Sequence, residues 1–119
     1  MKKTLVLGAS IKAYRYANKA VKKLMSKGID AVCIGKVDGQ IDGIIIHATK
    51  VFFKDIDTVT IYLNKKNQKD YYDYILNLSP RRVIFNPGTE NKELEKILRT
   101  NGILVENACT LVLLSIDEY

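Results

Sequence analysis

The sequence predicts an α/β fold, an open and mainly parallel sheet of five strands in the order 3-2-1-4-5 with helices on both faces. Three observations predict it. Short continuous apolar runs recur along the chain, and runs without polar alternation mark strands buried on both faces. Amphipathic segments of helical spacing separate those runs, which is the rhythm of a parallel sheet with crossover helices. The chain has 119 residues, 47% of them hydrophobic, and a chain of this size buries about two-thirds of its unfolded surface, enough for one ordinary core. Residues 1–119 are therefore read as one domain.

The first run, Thr4 to Leu7, ends in Gly8-Ala9-Ser10. The helix after it places Ala17, Ala20, Val21, Leu24 and Met25 on one stripe, the spacing of a face packed on a core. Lys27-Gly28 stops that helix. Ala31 to Ile34 is the second run and ends at Gly35. Val59 to Leu63, behind Asp55-Ile56-Asp57, is the third and is rich in β-branched residues. Asn67 is placed to cap a helix carrying Tyr71, Tyr74, Ile75 and Leu78 on one face, and Pro80 closes it. Val83 to Phe85 is the fourth run, followed by Asn86-Pro87-Gly88-Thr89. Glu90 to Arg99 brings Leu94, Ile97 and Leu98 together, and Asn101-Gly102 ends this helix before the fifth run, Ile103 to Val105. Leu111 to Leu114 reads either as a last helical turn or as a further strip against the sheet.

The connection from Lys36 to Asp57 is 22 residues, too long for a bare loop. It contains Asp42-Gly43 followed by Ile44 to Ile46, which indicates an added short strand or turn in place of a crossover helix. Right-handed crossovers restrict the topology. Ligand space then lies beyond the carboxyl ends of the strands where the order reverses, between the first and fourth runs.

Charge and composition exclude several classes. The formal net charge is +6, and the excess is N-terminal: residues 1–36 carry nine basic side chains against Asp30 alone, the remainder ten against twelve acidic ones. Arg15, Lys19, Lys22, Lys23 and Lys27 form the outer face of the first helix. No stacking platform or nucleic-acid reading motif accompanies them, so nucleic acid is not an expected partner. The longest apolar stretch, Ala108 to Ile116, falls short of the roughly 20 residues of a membrane span, and no membrane association is expected. Lys2 and Lys3 before Leu5 to Leu7 imitate the start of a signal peptide, but the apolar run stops within a few residues. Cys33 and Cys109 lie far apart, outside any CxxC or Cys/His cluster, which points to the cytoplasm and away from disulfides or zinc. His47 is the single histidine, at the end of an apolar segment, so two-histidine metal motifs are excluded.

Four strand ends converge on one rim: Gly8-Ala9-Ser10, Gly35-Lys36, Leu63-Asn64-Lys65 and Asn86-Pro87-Gly88-Thr89. A glycine after the first strand admits a ligand to the backbone, and the amides opening the next helix favour a phosphate. Ser10 adds a hydroxyl donor, although Gly8 to Ala13 lacks the GxGxxG spacing. A site for NAD places an acidic residue at the second strand end, about 20 residues beyond the glycine loop. Gly35-Lys36 stands there instead, and an ammonium favours a phosphorylated ribose. NADP, or coenzyme A with its 3′-phosphate, remain as the two ligands of that description.

The residues also carry a resemblance. The opening LVLGAS with RYANKAVKKL, the strand end CIGK, the blocks DIDTVTIYLN and PRRVIFNPGTEN, and the terminal NGILVENACTLVLL together cover nearly the whole chain. The chain resembles the small stand-alone CoA-binding proteins, whose domain is similar to the Rossmann-like CoA-binding domain of the succinyl-CoA ligase alpha subunit and of acyl-CoA synthetases. DIDTVTIYLN and RVIFNPGTEN are the specific pieces. The resemblance implies a Rossmann-like domain that holds coenzyme A without acyl-group chemistry. It implies Gly8, Ala9, Ser10 and Lys12 at the pyrophosphate, bordered by Arg15 or Tyr16, and Gly35 and Lys36 on the adenosine 3′-phosphate side. It also implies Leu63, Asn64 and Lys65 beside the adenosine and pyrophosphate, and Asn86, Pro87 and Gly88 along the pantetheine. Cys109 falls at the cysteine often seen after the fifth strand of that family. The ligases' glycine-rich loop is longer and their phosphohistidine domain has no counterpart here.

The remaining candidates read as structure. Cys33 reads as core, and Cys109 as a small buried hydrophobe or as a thiol able to pair with that of coenzyme A. Tyr71, Tyr72 and Tyr74 read as a half-buried helix side. Glu90 and Glu106 are the carboxylates nearest the rim, too few for acid/base work. The expected function is a binding module for CoA or an acyl-CoA and not an enzyme. The alternatives are a minimal NADP-linked reductase and a ligand-free scaffold. A homodimer through Leu111 to Ile116, or another protein partner, is compatible with the apolar tail.

Overall fold

In the computed structural model, which describes residues 3–119, strands and helices alternate along the chain apart from one run of four consecutive strands. Lys2 of the signal-like start lies outside the described residues. In chain order the elements are β1 (Lys3–Ala9), α1 (Tyr16–Ser26), β2 (Asp30–Gly35), β3 (Gly39–Ile41), β4 (Ile44–His47), β5 (Ile56–Ile61) and α2 (Lys65–Gln68). A 3-10 turn (Lys69–Tyr71) leads into α3 (Tyr72–Leu78), followed by β6 (Arg82–Phe85), α4 (Lys92–Thr100), β7 (Leu104–Asn107) and α5 (Thr110–Ser115).

The sheet has seven strands in the order β3-β4-β2-β1-β5-β6-β7. Every neighbouring pair is parallel except β3 with β4. The α/β Rossmann-like class stands, and two details of the expectation do not. The strand count is seven instead of five, and the third apolar run does not flank the second. It forms β5 and pairs with β1, Leu5 opposite Val59 and Leu7 opposite Ile61. The long connection explains both corrections. Its Asp42-Gly43 pair, with φ of 47° and 92°, makes a tight hairpin of β3 and β4. β4 then lies parallel to β2, Cys33 opposite Ile46, in the place the third run was assigned.

Side-chain alternation splits the core between the two faces. Leu5, Leu7, Val59, Ile61, Val83 and Phe85 pack against Ile75 and Leu78 of α3 and Leu94 and Leu98 of α4. Val6, Cys33 and Ile46 pack on the other face against Ala17, Val21 and Leu24 of α1 and Leu114 of α5. Each fully buried Leu, Ile or Val stabilises the fold by about 1.5–3 kcal/mol. Met25, expected on the buried stripe of α1, is exposed, and Asn18 in the first turn is buried, its amide donating to the Ser10 carbonyl at 2.9 Å. Leu111 to Leu114 belongs to α5. The cap of α2 is Asn64, whose side chain accepts from the Asn67 amide at 2.9 Å, so Asn67 is the capped residue and not the cap. No helix among the described residues is long and apolar enough to cross a membrane.

Candidate functional site

The order of the sheet reverses between β1 and β5. α1 leaves β1 toward one face while α3 and α4 occupy the other, and in open α/β sheets such a reversal is where ligands seat, which puts the candidate crevice beyond the carboxyl ends of β1 and β5. This corrects the position expected from the sequence, between the first and fourth runs. The ends of β2 and β6 flank the crevice on either side.

Two glycines set how closely these ends approach. A Cβ on Gly8, whose φ is +102°, would lie 2.9 Å from the Tyr62 carbonyl carbon and 3.0 Å from the Leu63 nitrogen. A Cβ on Gly35 would lie 2.3 Å from the Ala9 carbonyl oxygen. Both positions are fixed by chain packing on chain. Their effect is to draw the ends of β2, β1 and β5 into one ledge that presents Ser10, Lys36 and Leu63. Ala9 is buried opposite Gly35.

The loop after β1 offers donors and positive charge with no anionic side chain to meet them. The Ser10 hydroxyl accepts from the Lys12 amide at 3.1 Å, which leaves its own proton to donate. Arg15 occupies the N-cap of α1 without a capping side-chain bond, and the first turn has no acidic residue. The opening amides and their positive dipole end therefore meet no anionic side chain. Lys12, Arg15, Tyr16 and Lys36 are exposed. Arg15 stands over the Tyr14 ring at 5.7 Å, and Lys19 over that of Tyr16 at 5.5 Å. The four ion pairs among the described residues, Lys27–Asp117, Arg81–Asp57, Arg82–Glu106 and Arg99–Glu95, include none of the rim cations.

Beyond β5, Leu63 is half-buried and Asn64 and Lys65 are exposed, the Asn64 side chain engaged as the α2 cap. Beyond β6, Asn86 is buried and its amide is fully engaged. It donates to Thr60 Oγ1 at 2.7 Å and the Ile61 carbonyl at 2.8 Å, and accepts from the Thr110 amide at 2.9 Å. Asn86 thus offers only backbone to the rim, while Pro87 and Gly88 are exposed. The Gly88 amide donates to Glu90 Oε1 at 2.9 Å. Two surface concavities, one on the outer side of α4 at Lys92 and Arg99, the other at Pro80 and Gly102, lie away from this rim.

The structure adds residues that sequence reasoning missed. β4 brings His47 opposite Ile34, beside the Lys36 end of β2, with its ring 5.7 Å from that of Phe53. The apolar run Ile44 to Ile46 carried the signal, had it been read as a parallel strand. Gln68 and Asn91, both buried, bind each other beneath the rim at 2.9 Å. Cys109 is half-buried and free at the start of α5. Near it the Tyr62 hydroxyl is buried beside Thr110 and Thr60, and burial, reinforced by Cys109, pushes it well above the usual phenol range.

A family model described as a CoA binding domain matches residues 2–115. The chain belongs to that CoA-binding family. No curated protein matches it. Among solved structures, this CoA-binding family member is similar to the crystal structure of an uncharacterized protein, with 48% identity and a TM-score of 0.97 over 100% of this chain and 98% of that one. It is also similar to a hypothetical protein from Pyrococcus horikoshii OT3, with 25% identity and a TM-score of 0.85 over 93% and 80% of the two chains. A conserved hypothetical protein from Pyrococcus furiosus shares the fold at 23% identity, with a TM-score of 0.82 over 94% and 98%.

Proposed function

We propose that the chain is a cytoplasmic stand-alone module that binds coenzyme A, or an acyl-CoA, by its nucleotide end across this rim. One observation carries the reading. An uncapped helix start and the cations Lys12, Arg15, Lys36 and Lys65, none in an ion pair, stand at strand ends of a CoA-binding family fold. In this reading Gly8, Ala9, Ser10 and Lys12 hold the pyrophosphate with backbone amides and the Ser10 proton, and Arg15 or Tyr16 borders it. Lys36, set by Gly35, meets the adenosine 3′-phosphate. Leu63, Asn64 and Lys65 border the adenosine and pyrophosphate. Asn86, Pro87 and Gly88 line the pantetheine, Asn86 through its backbone.

The module holds its ligand without acyl-transfer chemistry of its own. The carboxylates next to the rim loops accept from backbone amides, Glu90 from Gly88 and Asp38 from Ala48, and Glu106 is paired with Arg82 at the amino end of β6. The rival reading, an NADP-linked reductase, needs the same phosphate contact with a different ligand. Thermal unfolding separates them. A ligand at 100 times its Kd adds about 2.7 kcal/mol, a rise in Tm of roughly 10 °C for a domain this size. Coenzyme A and adenosine 3′,5′-bisphosphate should give such rises, dephospho-CoA less and NADPH little. A larger rise with NADPH than with coenzyme A overturns the reading.

A further inference from the structure

The last ladder pair between β5 and β6 is Ile61 with Phe85. Past it the two rim loops diverge, and Gln68 joins them. Its side chain is fully buried, donating from Nε2 to the Leu63 carbonyl at 2.9 Å and to the Thr89 carbonyl at 2.7 Å. Thr89 in turn closes the Asn86–Thr89 turn, through its amide at 2.9 Å and its hydroxyl at 2.7 Å to the Asn86 carbonyl. Asn91 braces the clasp by donating to Gln68 Oε1 at 2.9 Å, while its own Oδ1 accepts from the Leu94 amide at 3.1 Å as the cap of α4.

Every polar atom of the Gln68 amide is used, and both of its protons reach carbonyls of different loops. A buried amide that served packing alone is replaceable by an apolar side chain of similar length. Here the bonds set the distance between the loop at Leu63 and the loop at Gly88. We infer that Gln68, braced by Asn91, is a positioning residue for the ligand: it holds the nucleotide-side and pantetheine-side loops in register, so that one extended molecule contacts both. This inference rests on the CoA reading and deepens it.

A ligand that spans both loops senses the clasp, and one confined to the nucleotide side does not. The test is calorimetric titration of the native protein, Gln68→Met and Asn91→Ser with coenzyme A and with adenosine 3′,5′-bisphosphate. Gln68→Met keeps the side-chain length and removes both donors. Asn91→Ser keeps a capping oxygen for α4 and removes the brace, so it provides a folded variant if Gln68→Met does not fold. Loss of the bridging bonds should weaken coenzyme A about tenfold in Gln68→Met, the equivalent of one to two net hydrogen bonds. The loss should be smaller but in the same direction in Asn91→Ser. The bisphosphate should stay within about twofold of native in both. Parallel losses for the two ligands mean a purely structural amide and overturn the inference, as does native affinity for coenzyme A in both variants. Failure of the native protein to bind coenzyme A takes down the CoA reading and this inference together.

Discussion

Lys36→Ala gives the sharpest test of the rim. The ammonium sits at the end of β2, exposed and with no ion pair, so removing it orphans no buried group and leaves the fold alone. Its worth to a ligand is therefore the bare attraction for a phosphate. In water, two unit charges about 4 Å apart attract by about 1 kcal/mol, and a 3′-phosphate carries nearly two charges. The substitution should thus cost about 1–2 kcal/mol, roughly five- to thirtyfold in the Kd of coenzyme A. Dephospho-CoA lacks the partner and should lose less than about twofold. The difference should shrink as salt rises, since the Debye length falls to about 8 Å at physiological ionic strength. Lys96→Ala on the exposed side of α4 makes the same change of net charge away from the rim and serves as control. Calorimetry of both ligands against both variants at two salt concentrations provides the readout. Equal losses for coenzyme A and dephospho-CoA, or a Lys96→Ala effect as large as that of Lys36→Ala, would refute the phosphate assignment.

Two further outcomes are expected. Gly35→Ala puts a Cβ 2.3 Å from the Ala9 oxygen, an overpacking against backbone of about 1–3 kcal/mol. Chemical denaturation should show that loss without added ligand, and unchanged stability would mean that β1 and β2 separate more easily than the packing implies. Alkaline pH should also destabilise the fold. Burial raises the Cys33 thiol from 9.0 to about 12 and the Tyr74 hydroxyl from 10.0 to about 12. The stability these protonated groups contribute is complete below about pH 9 and is lost as pH climbs toward about 12. Tm measured across that window should fall, and Cys33→Ala should flatten the early part of the fall; an unaltered slope in the variant would rule out the thiol as its source.

The strands and the helices α1 and α4 were legible because their patterns are local. Continuous apolar runs, the Ala17–Leu24 stripe and the Leu94–Leu98 pair need no knowledge of the rest of the chain. Strand order was not legible, because it turns on whether Ile44 to Ile46 stays a turn or inserts beside β2, a choice made by tertiary pairing. The cap of α2 is ambiguous in the sequence for a related reason. Asn64 and Asn67 stand three residues apart, the spacing of a cap and its target, and the sequence does not say which flanks the helix. Of the site, the charged and small residues at strand ends were visible. The Gln68–Asn91 pair was not, since a glutamine among lysines on a short helix reads as solvated, and only the meeting of two loops buries it. At Gly8 and Gly35 the structure adds a requirement that no local pattern carries, the close approach of neighbouring backbone.

The crowding at Gly35 bears on how this scaffold can be re-engineered. A change of preference toward an unphosphorylated dinucleotide would ordinarily begin with a carboxylate on the final residue of the second strand. Here that residue has the Ala9 carbonyl well inside van der Waals contact of where any side chain would begin. The available route runs through position 36, one step out in open solvent, where charge can be reversed while the backbone stays still.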